Sequence, residues 1–322
     1  MLDLIVVGLG PAGLALAHRA HQRGWNVLGF DPNPEWEHTI GFWIDELPAW
    51  LNVPIQGSCQ PRVHANGYSR TIAREYAILD AAAFRQRYST FPILRQSAHI
   101  IDAHTVRAAT KHTAHMVVDT RGCTNEAGPF QQAVGCLIPN GNPWWMNVHN
   151  PTFTYCVPIG QQWLTEETIL ITQTPVPWSE LECVLPCPPS EHVLFSMNIP
   201  KYKDHAIPFG ARAGMLNPIT GYSVGTSWRY IDDVLDGKYP WRKYSWRIEQ
   251  MLLKRSQNLL LNIDQDRFFA EVFQLPDQTL KRFLALGDLP GTLIGMWKIF
   301  SAAPWLRRDC IRAMLKPGTQ PT

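Results

Sequence analysis

The sequence predicts an α/β fold in which a Rossmann-like dinucleotide-binding domain opens the chain, an antiparallel sheet is inserted into it, and helices close it. Three observations lead there. A glycine-rich loop follows an apolar strand at the start, the stretch around Leu164-Thr165-Glu166-Glu167-Thr168 reads as a strand of a hairpin, and a dense apolar set fills Leu289 to Lys316.

Leu4-Ile5-Val6-Val7 is wholly apolar, as a parallel strand buried on both faces requires. Gly8-Leu9-Gly10-Pro11-Ala12-Gly13 follows and leads into the helical pattern Leu14, Leu16, Ala17, Ala20. Gly8 permits the tight turn, Gly10 lets backbone approach a pyrophosphate, and Gly13 lets the helix pack against the strand. Pro11 sits where a helix needs no N–H, and the first-turn amides around Ala12 face the phosphates. A second strand, Trp25 to Phe30, ends at Asp31, about 20 residues beyond the loop, where a carboxylate grips a ribose hydroxyl.

With 45% hydrophobic and 17% charged residues, the 322-residue chain has the composition of a globular protein with a substantial core in one or two domains. Thirteen tryptophans imply aromatic packing or a large pocket for an apolar ligand. A net charge of +2 offers no general field for nucleic acid. No apolar run reaches the ~18 to 20 residues that span a bilayer, so membrane contact is expected to be peripheral. No basic leader precedes the first strand, which reads as a cytoplasmic chain without a signal or transit peptide. The cysteines, at Cys59, Cys123, Cys136, Cys156, Cys183, Cys187 and Cys310, are odd in number, and only Cys183 and Cys187 lie close together; free thiols are expected. No metal site is expected, since the eleven histidines show no ligand spacing.

Glu166 and Glu167 carry the acid-base potential. Two neighbouring carboxyls near a dry pocket raise one another's pKa, which suits a proton donor. On a strand they point to opposite faces. With Gln161-Gln162 as the hairpin turn, Trp163, Thr165 and Glu167 share one face and Leu164, Glu166 and Thr168 the other; which face lines a pocket stays open.

Several segments, in chain order, resemble the flavin-dependent lycopene β-cyclase family, the plant and actinobacterial type of carotenoid cyclase. Gly41-Phe42-Trp43-Ile44-Asp45-Glu46 is similar to the family's "GVWxDE", Arg74 to Asp80 to its "YxRVxR" strand, and Val117 to Gly122 to a strand end of FAD proteins of this class. Pro151 to Pro158 resembles "PTFLYAMP", Thr165-Glu166-Glu167-Thr168 ends like "FLEET", Gly214 to Tyr222 resembles "GMVHPSTGY", and Phe268 to Pro276 with Arg282-Phe283-Leu284 is similar to the C-terminal aromatic stretch. Two departures stand out: Asn217 replaces a histidine, and the segment between Gly135 and Pro151 is abridged, with "MDWR" reduced to Met146-Asn147-Val148-His149.

The resemblance implies an FAD-binding domain of the glutathione-reductase type, over 1–125 and 206–236, with a substrate sheet over 126–205 and a helical, membrane-interfacial region over 237–322. It implies reduced FAD, NAD(P)H as reductant, and lycopene or a related acyclic carotenoid as substrate, closed to β-rings in a redox-neutral, proton-initiated cyclisation. Glu166 and Glu167 take the acid/base positions. Gly210, Gly214, Pro218, Thr220, Gly221 and Tyr222 belong to the second FAD-contacting segment, and Phe42, Trp43, Asp45 and Glu46 to the surroundings of the cation. Basic residues Lys298, Arg307, Arg308, Arg312 and Lys316 around the C-terminal apolar set suit a peripheral membrane element. Two other readings stay open: a flavin oxidoreductase or monooxygenase acting on an apolar isoprenoid, and a non-catalytic carotenoid-binding paralogue.

Overall fold

The computed structural model describes residues 1–33, 35–36, 38–122, 128–198 and 205–315, so Cys123, Lys316 and the tail 317–322 lie outside the described residues. Within these, seventeen strands form three sheets.

The first sheet is built on β1 (Leu2–Val7), which runs parallel to β2 (Val27–Phe30) on one side and to β11 (Lys111–Asp119) on the other. β8 (Ile93–Leu94) extends it beyond β2, while β10 (Thr105–Arg107) and β9 (His99–Asp102) extend it beyond β11. β17 (Ile207–Pro208) comes back from far along the chain to pair with the end of β11, which joins the second nucleotide segment to the first. Between β1 and β2 the chain forms α1 (Pro11–Gln22), with Pro11 in its first turn as predicted.

The second sheet runs in the order β16 (Glu191–Ser196), β12 (Phe130–Ile138), β15 (Gln162–Thr172), β14 (Phe153–Ile159), β13 (Trp144–Val148), β5 (Arg62–Ala65) and β6 (Tyr68–Thr71). All its pairings are antiparallel except that of β13 with β5. Strands β5 and β6 fall inside the stretch 1–125 yet belong to this sheet, because β13 would otherwise present an open edge of unpaired backbone groups. The third sheet, β3 (Gly41–Trp43), β7 (Tyr76–Leu79) and β4 (Ile55–Cys59), lies against the second, where Gly160 donates its N–H to Gln56 O at 3.0 Å. The hairpin turn is Gly160-Gln161 rather than Gln161-Gln162: Gly160 adopts φ +59°, a left-handed conformation that costs glycine nothing, and Ile159 pairs with Gln162.

Helix α2 (Ala81–Tyr88) is capped by Asp80, and α3 (Trp178–Glu182) covers the outer face of the second sheet. Helices α4 (Val224–Arg229) and α5 (Ile231–Leu235) pack on α1, with Arg19 and Arg23 gripping Asp232 at 2.7 Å each. The C-terminal helices are α6 (Tyr244–Leu260), α7 (Gln265–Phe273), α8 (Asp277–Leu284), α9 (Leu289–Ala302) and α10 (Arg307–Leu315). Buried glutamines on α6 have a clear purpose: Gln250 donates to Gly214 O at 3.1 Å and Gln257 to Pro218 O at 2.8 Å, so the helix fastens the second nucleotide segment.

The expectation of free thiols is corrected at one pair. Cys136 on β12 and Cys187, in the loop leading into β16, form a disulfide with a Cα–Cα distance of 6.1 Å. The pairing of β12 with β16 brings the loop alongside Cys136, a juxtaposition that spacing along the chain does not reveal. Cys59, Cys156, Cys183 and Cys310 are free thiols.

A side chain at Gly13 would collide with Gly8 O and the Thr120 side chain. Gly13→Ala should therefore destabilise the fold by ~1–3 kcal/mol, read as a lower denaturation midpoint with an unchanged m value.

Candidate active site

The hydrogen-bond register of the second sheet places four residues in one row. Tyr155 on β14 faces Glu166 on β15, Glu166 faces Gly135 on β12, and Gly135 faces Glu191 on β16. In-register residues share a face, so all four project to the same side of the sheet. That side is the wall of a cavity of about 250 Å³ roofed by the loop 219–224 and by α7 and α8. Its lining holds Glu166, Thr168 and Leu170 of β15, Gln131 and Ala133 of β12, and a group of aromatic rings that includes Trp145, Phe153, Phe195, Phe269 and Phe273. Among these lining residues there is no lysine, arginine or histidine.

A carboxyl in such surroundings keeps its proton. Burial, and after it the Glu191 carboxyl beside it, push Glu166 well above the usual carboxylate range. Glu191 itself accepts the Thr39 N–H at 3.1 Å through Oε2. Next to the glutamates lies a chain of hydroxyls: Tyr155 donates to Tyr76 at 3.3 Å, Tyr76 and Tyr222 meet at 2.8 Å, and the Trp145 indole N–H donates to Tyr222. Burial raises all three phenols above their ordinary range, so they are neutral donors.

Glu167 takes the opposite face. It is buried, and its Oε1 meets His149 Nε2 at 2.8 Å, while His149 Nδ1 donates to Asn147 O at 3.0 Å. The two sequence-adjacent glutamates are thus separated by the pleat, and only Glu166 lines the cavity. The abridged segment still contributes, through Trp145 and Met146 on the cavity wall.

Phe42, Trp43, Asp45 and Glu46 are not among the residues that line this cavity. Phe42 packs edge-on against Trp228 at 5.4 Å. Trp43 stands behind the wall, 4.9 Å from Tyr76 and 5.4 Å from Trp145, with Arg74 stacked over its ring. Asp45 and Glu46 are held by Arg74 at 2.7 and 2.9 Å, and Lys281 adds a second cation to Asp45 at 2.7 Å. These carboxylates are neutralised by cations, which β3 brings together on its way out of the sheet.

The nucleotide loop has the features a dinucleotide needs. Helix α1 has no side-chain cap, and the amides of Ala12 and Gly13 precede its first internal bond, Leu14 N–H to Gly10 O at 2.9 Å. A Cβ on Gly10 would meet nothing within 4 Å, so this backbone is open to a phosphate. Asp31 accepts from Leu9 N–H at 2.6 Å and Asn33 N–H at 2.9 Å, so it fixes the loop to the end of β2. Gly210 begins a 3-10 turn through Ala213, and a Cβ there would stand 3.1 Å from Ala12 Cβ, which sets the second segment against the first. Asp119, fully buried, clamps both: its carboxylate takes Arg121 at 2.8 Å and Arg212 at 3.0 Å. Gly214 lies at a left-handed φ of +73°, and Pro218 offers its carbonyl to α6. Asn217 holds the turn by accepting Ile219 N–H at 2.9 Å, and so presents Thr220, Gly221 and Tyr222 to the cavity. The residues present fit FAD: the open backbone from Gly8 to Gly13 would hold its pyrophosphate.

The model of the lycopene cyclase protein family matches residues 3–290. The chain belongs to this family. A lycopene beta cyclase of Synechococcus elongatus is 26% identical over 300 residues, covering 73% of this chain and 71% of that protein. An uncharacterized carotenoid cyclase of Deinococcus radiodurans is 25% identical over 369 residues, covering 90% of this chain and 88% of that protein. Among solved structures, a flavin-dependent brominase shares the fold with a TM-score of 0.59 at 14% identity, over 95% of this chain and all of that one. The fold of this lycopene cyclase family member is therefore of the FAD-binding Rossmann-like class.

Glu191, Gly135, Tyr76, Tyr155 and Trp145 were not legible as site residues. Trp145 and Tyr155 sit in or beside resembling segments, and Tyr76 in another, but nothing in sequence brings Glu191 and Gly135 to Glu166.

Because the folded state holds the Glu166 proton above the pH at which the unfolded chain releases it, the folded state binds more protons in that window and loses stability as pH rises. Glu166→Gln cannot lose that proton. Its stability relative to the native chain should be close to equal near pH 4 and higher by about 1 kcal/mol or more near pH 8, measured by chemical denaturation at both.

Proposed function

We propose that this chain is a flavin-dependent lycopene cyclase that closes acyclic ψ-ends to β-rings, and the observation that carries the reading is the place of Glu166 in an aromatic cavity with no cation among its described lining residues, where burial and the Glu191 carboxyl raise its pKa well above the usual carboxylate range. Glu166 gives its proton to the terminal alkene carbon: a C–H bond forms, the π bond opens, and positive charge develops at a tertiary carbon. A neighbouring alkene closes the ring by a C–C bond, and charge moves to a second tertiary centre. The carboxylate now at Glu166 takes a proton from the ring carbon, which forms the ring alkene and restores the donor. One proton enters and one leaves, and no electron is transferred. Trp145, Tyr155 and Tyr222 line the cavity where the cation forms, and π density of an aromatic ring beside it lowers its energy by ~0.5–2 kcal/mol. When bound and reduced by NAD(P)H, FAD supplies a flavin ring whose negative charge favours the same cation.

The apolar length of a carotenoid needs a second space. A groove of about 460 Å³ between α6, α9 and α10 shares Ile219, Phe268 and Phe283 with the active cavity and is almost wholly apolar. Along its rim Leu293, Trp297 and Ile311 are exposed, Trp297 by 68%, with Lys298 and Arg312 nearby in sequence. Among the described residues no helix is long and apolar enough to cross a membrane, and this rim supports peripheral contact with the bilayer from which the substrate comes.

In bacterial cells that accumulate lycopene, expression of the chain should convert the pigment to β- or γ-carotene. Glu166→Gln should lower that conversion by ~10²-fold or more, whereas Glu167→Gln should retain most of it. Unchanged lycopene from soluble, FAD-loaded protein, or stoichiometric consumption of NADPH with a reduced or hydroxylated product, would overturn the reading in favour of an oxidoreductase. Trp297→Glu should reduce sedimentation with anionic vesicles severalfold at unchanged FAD content.

A further inference from the structure

We propose that Glu191 and Glu166 form a one-proton carboxyl pair across the side-chain-free position Gly135, with Glu191 as the positioning residue that keeps the donor proton on Glu166. The inference rests on the proposed cyclase chemistry only for its catalytic consequence.

The geometry comes from three adjacent strands. Gly135 on β12 lies between Glu166 on β15 and Glu191 on β16 in the same cross-strand row. Directly opposed side chains on neighbouring strands are about 5 Å apart, and residues two strands apart are normally screened by the side chain between them. Here there is none. A Cβ on Gly135 would stand 2.9 Å from Glu166 Cγ and 3.4 Å from Glu191 Cγ, so both glutamate stems lean over the glycine. Any larger residue would separate them.

The hydrogen-bond inventory fits one shared proton. Glu191 Oε2 accepts the Thr39 N–H, whereas its buried Oε1 has no donor among the described residues. A proton on Glu166 gives that oxygen its donor. Two ionised carboxylates in this place would repel with no cation in the cavity lining to offset them. The groups that face Glu166 are Glu191 from β16, Tyr155 from β14 and Tyr222 from the loop before α4, and burial holds both phenols neutral. Among the described residues that face it, Glu191 is the other carboxyl. The disulfide Cys136–Cys187 ties β12, one residue from Gly135, to the loop that enters β16, and Ser190 N–H donates to Gly135 O at 2.7 Å; both hold the two strands in this register.

The test has two readouts on FAD-loaded protein. The first is the pH profile of cyclisation. A donor must be protonated, so activity falls as pH rises through its pKa. Glu191→Gln keeps the shape but removes the charge, so the alkaline limb should move down by about one pH unit or more, a tenfold loss per unit at a fixed alkaline pH. Glu191→Asp should restore the limb part of the way. Gly135→Ala, which wedges the pair apart, should move it in the same direction as Glu191→Gln at unchanged FAD content. The second readout is the infrared carbonyl stretch of protonated carboxylic acids, followed against pH. One band should persist into the neutral range, vanish in Glu166→Gln, and titrate at lower pH in Glu191→Gln; bands from other buried acids such as Glu249 are common to all variants. An alkaline limb and a band that stay in place in both Glu191→Gln and Gly135→Ala would overturn the pair. If the infrared titration behaves as expected in a protein that cyclises nothing, the pair stands and the proposed reaction fails.

Discussion

The site depends on the pleat of one doubly paired strand. β15 is hydrogen-bonded along its length to β12 on one side and to β14 on the other, so its register cannot slip by one residue without moving Glu166, Thr168 and Leu170 off the cavity wall. That constraint decides which of two adjacent, chemically identical glutamates meets the cavity. It also decides their environments: one carboxyl faces aromatic rings and a second carboxyl, the other a histidine.

Around this strand the structure divides charge from apolar space. Cations are drawn to carboxylates outside the cavity, with Arg74 and Lys281 on Asp45 and Glu46, and Arg121 and Arg212 on Asp119. Inside, neutral hydroxyls and rings surround Glu166. The nucleotide loop and the cavity are linked mechanically, because Asp119 clamps the second nucleotide segment and α6 holds the carbonyls of Gly214 and Pro218 just before the residues that enter the cavity. The residues of the loop 219–224 that enter the cavity are thus set by these few buried polar contacts.

What was legible in sequence is local. The strand, glycine loop and helix at the start are encoded within a short stretch, and so are the Asp31 position and the alternation that puts Glu166 and Glu167 on different faces. Period-two alternation defines faces but does not say what covers each; that depends on α7, α8 and the loop 219–224, which arrive from elsewhere. Glu191 was hidden for a related reason: its relation to Glu166 passes through β12, and the decisive residue there is a glycine, which in sequence signals only the absence of a side chain. Phe42 and Trp43 lie in a segment with a strong family resemblance, yet the pleat of β3 sends Phe42 to Trp228 and Trp43 to Tyr76 and Trp145. The disulfide was hidden for the same reason, since Cys187, expected as a free thiol, finds its partner 51 residues away.

Strands β5 and β6 enter the second sheet before β11 has been laid into the first, and β17 returns to the first after the second is complete. Neither sheet can be finished from a contiguous length of chain. Each requires long loops to close before its pairings form, and that places the chain among slow-folding, high-contact-order topologies. Cutting it between the nucleotide and cavity portions leaves a broken sheet on each side, so the two portions have to be made, and inherited, as one cooperative piece.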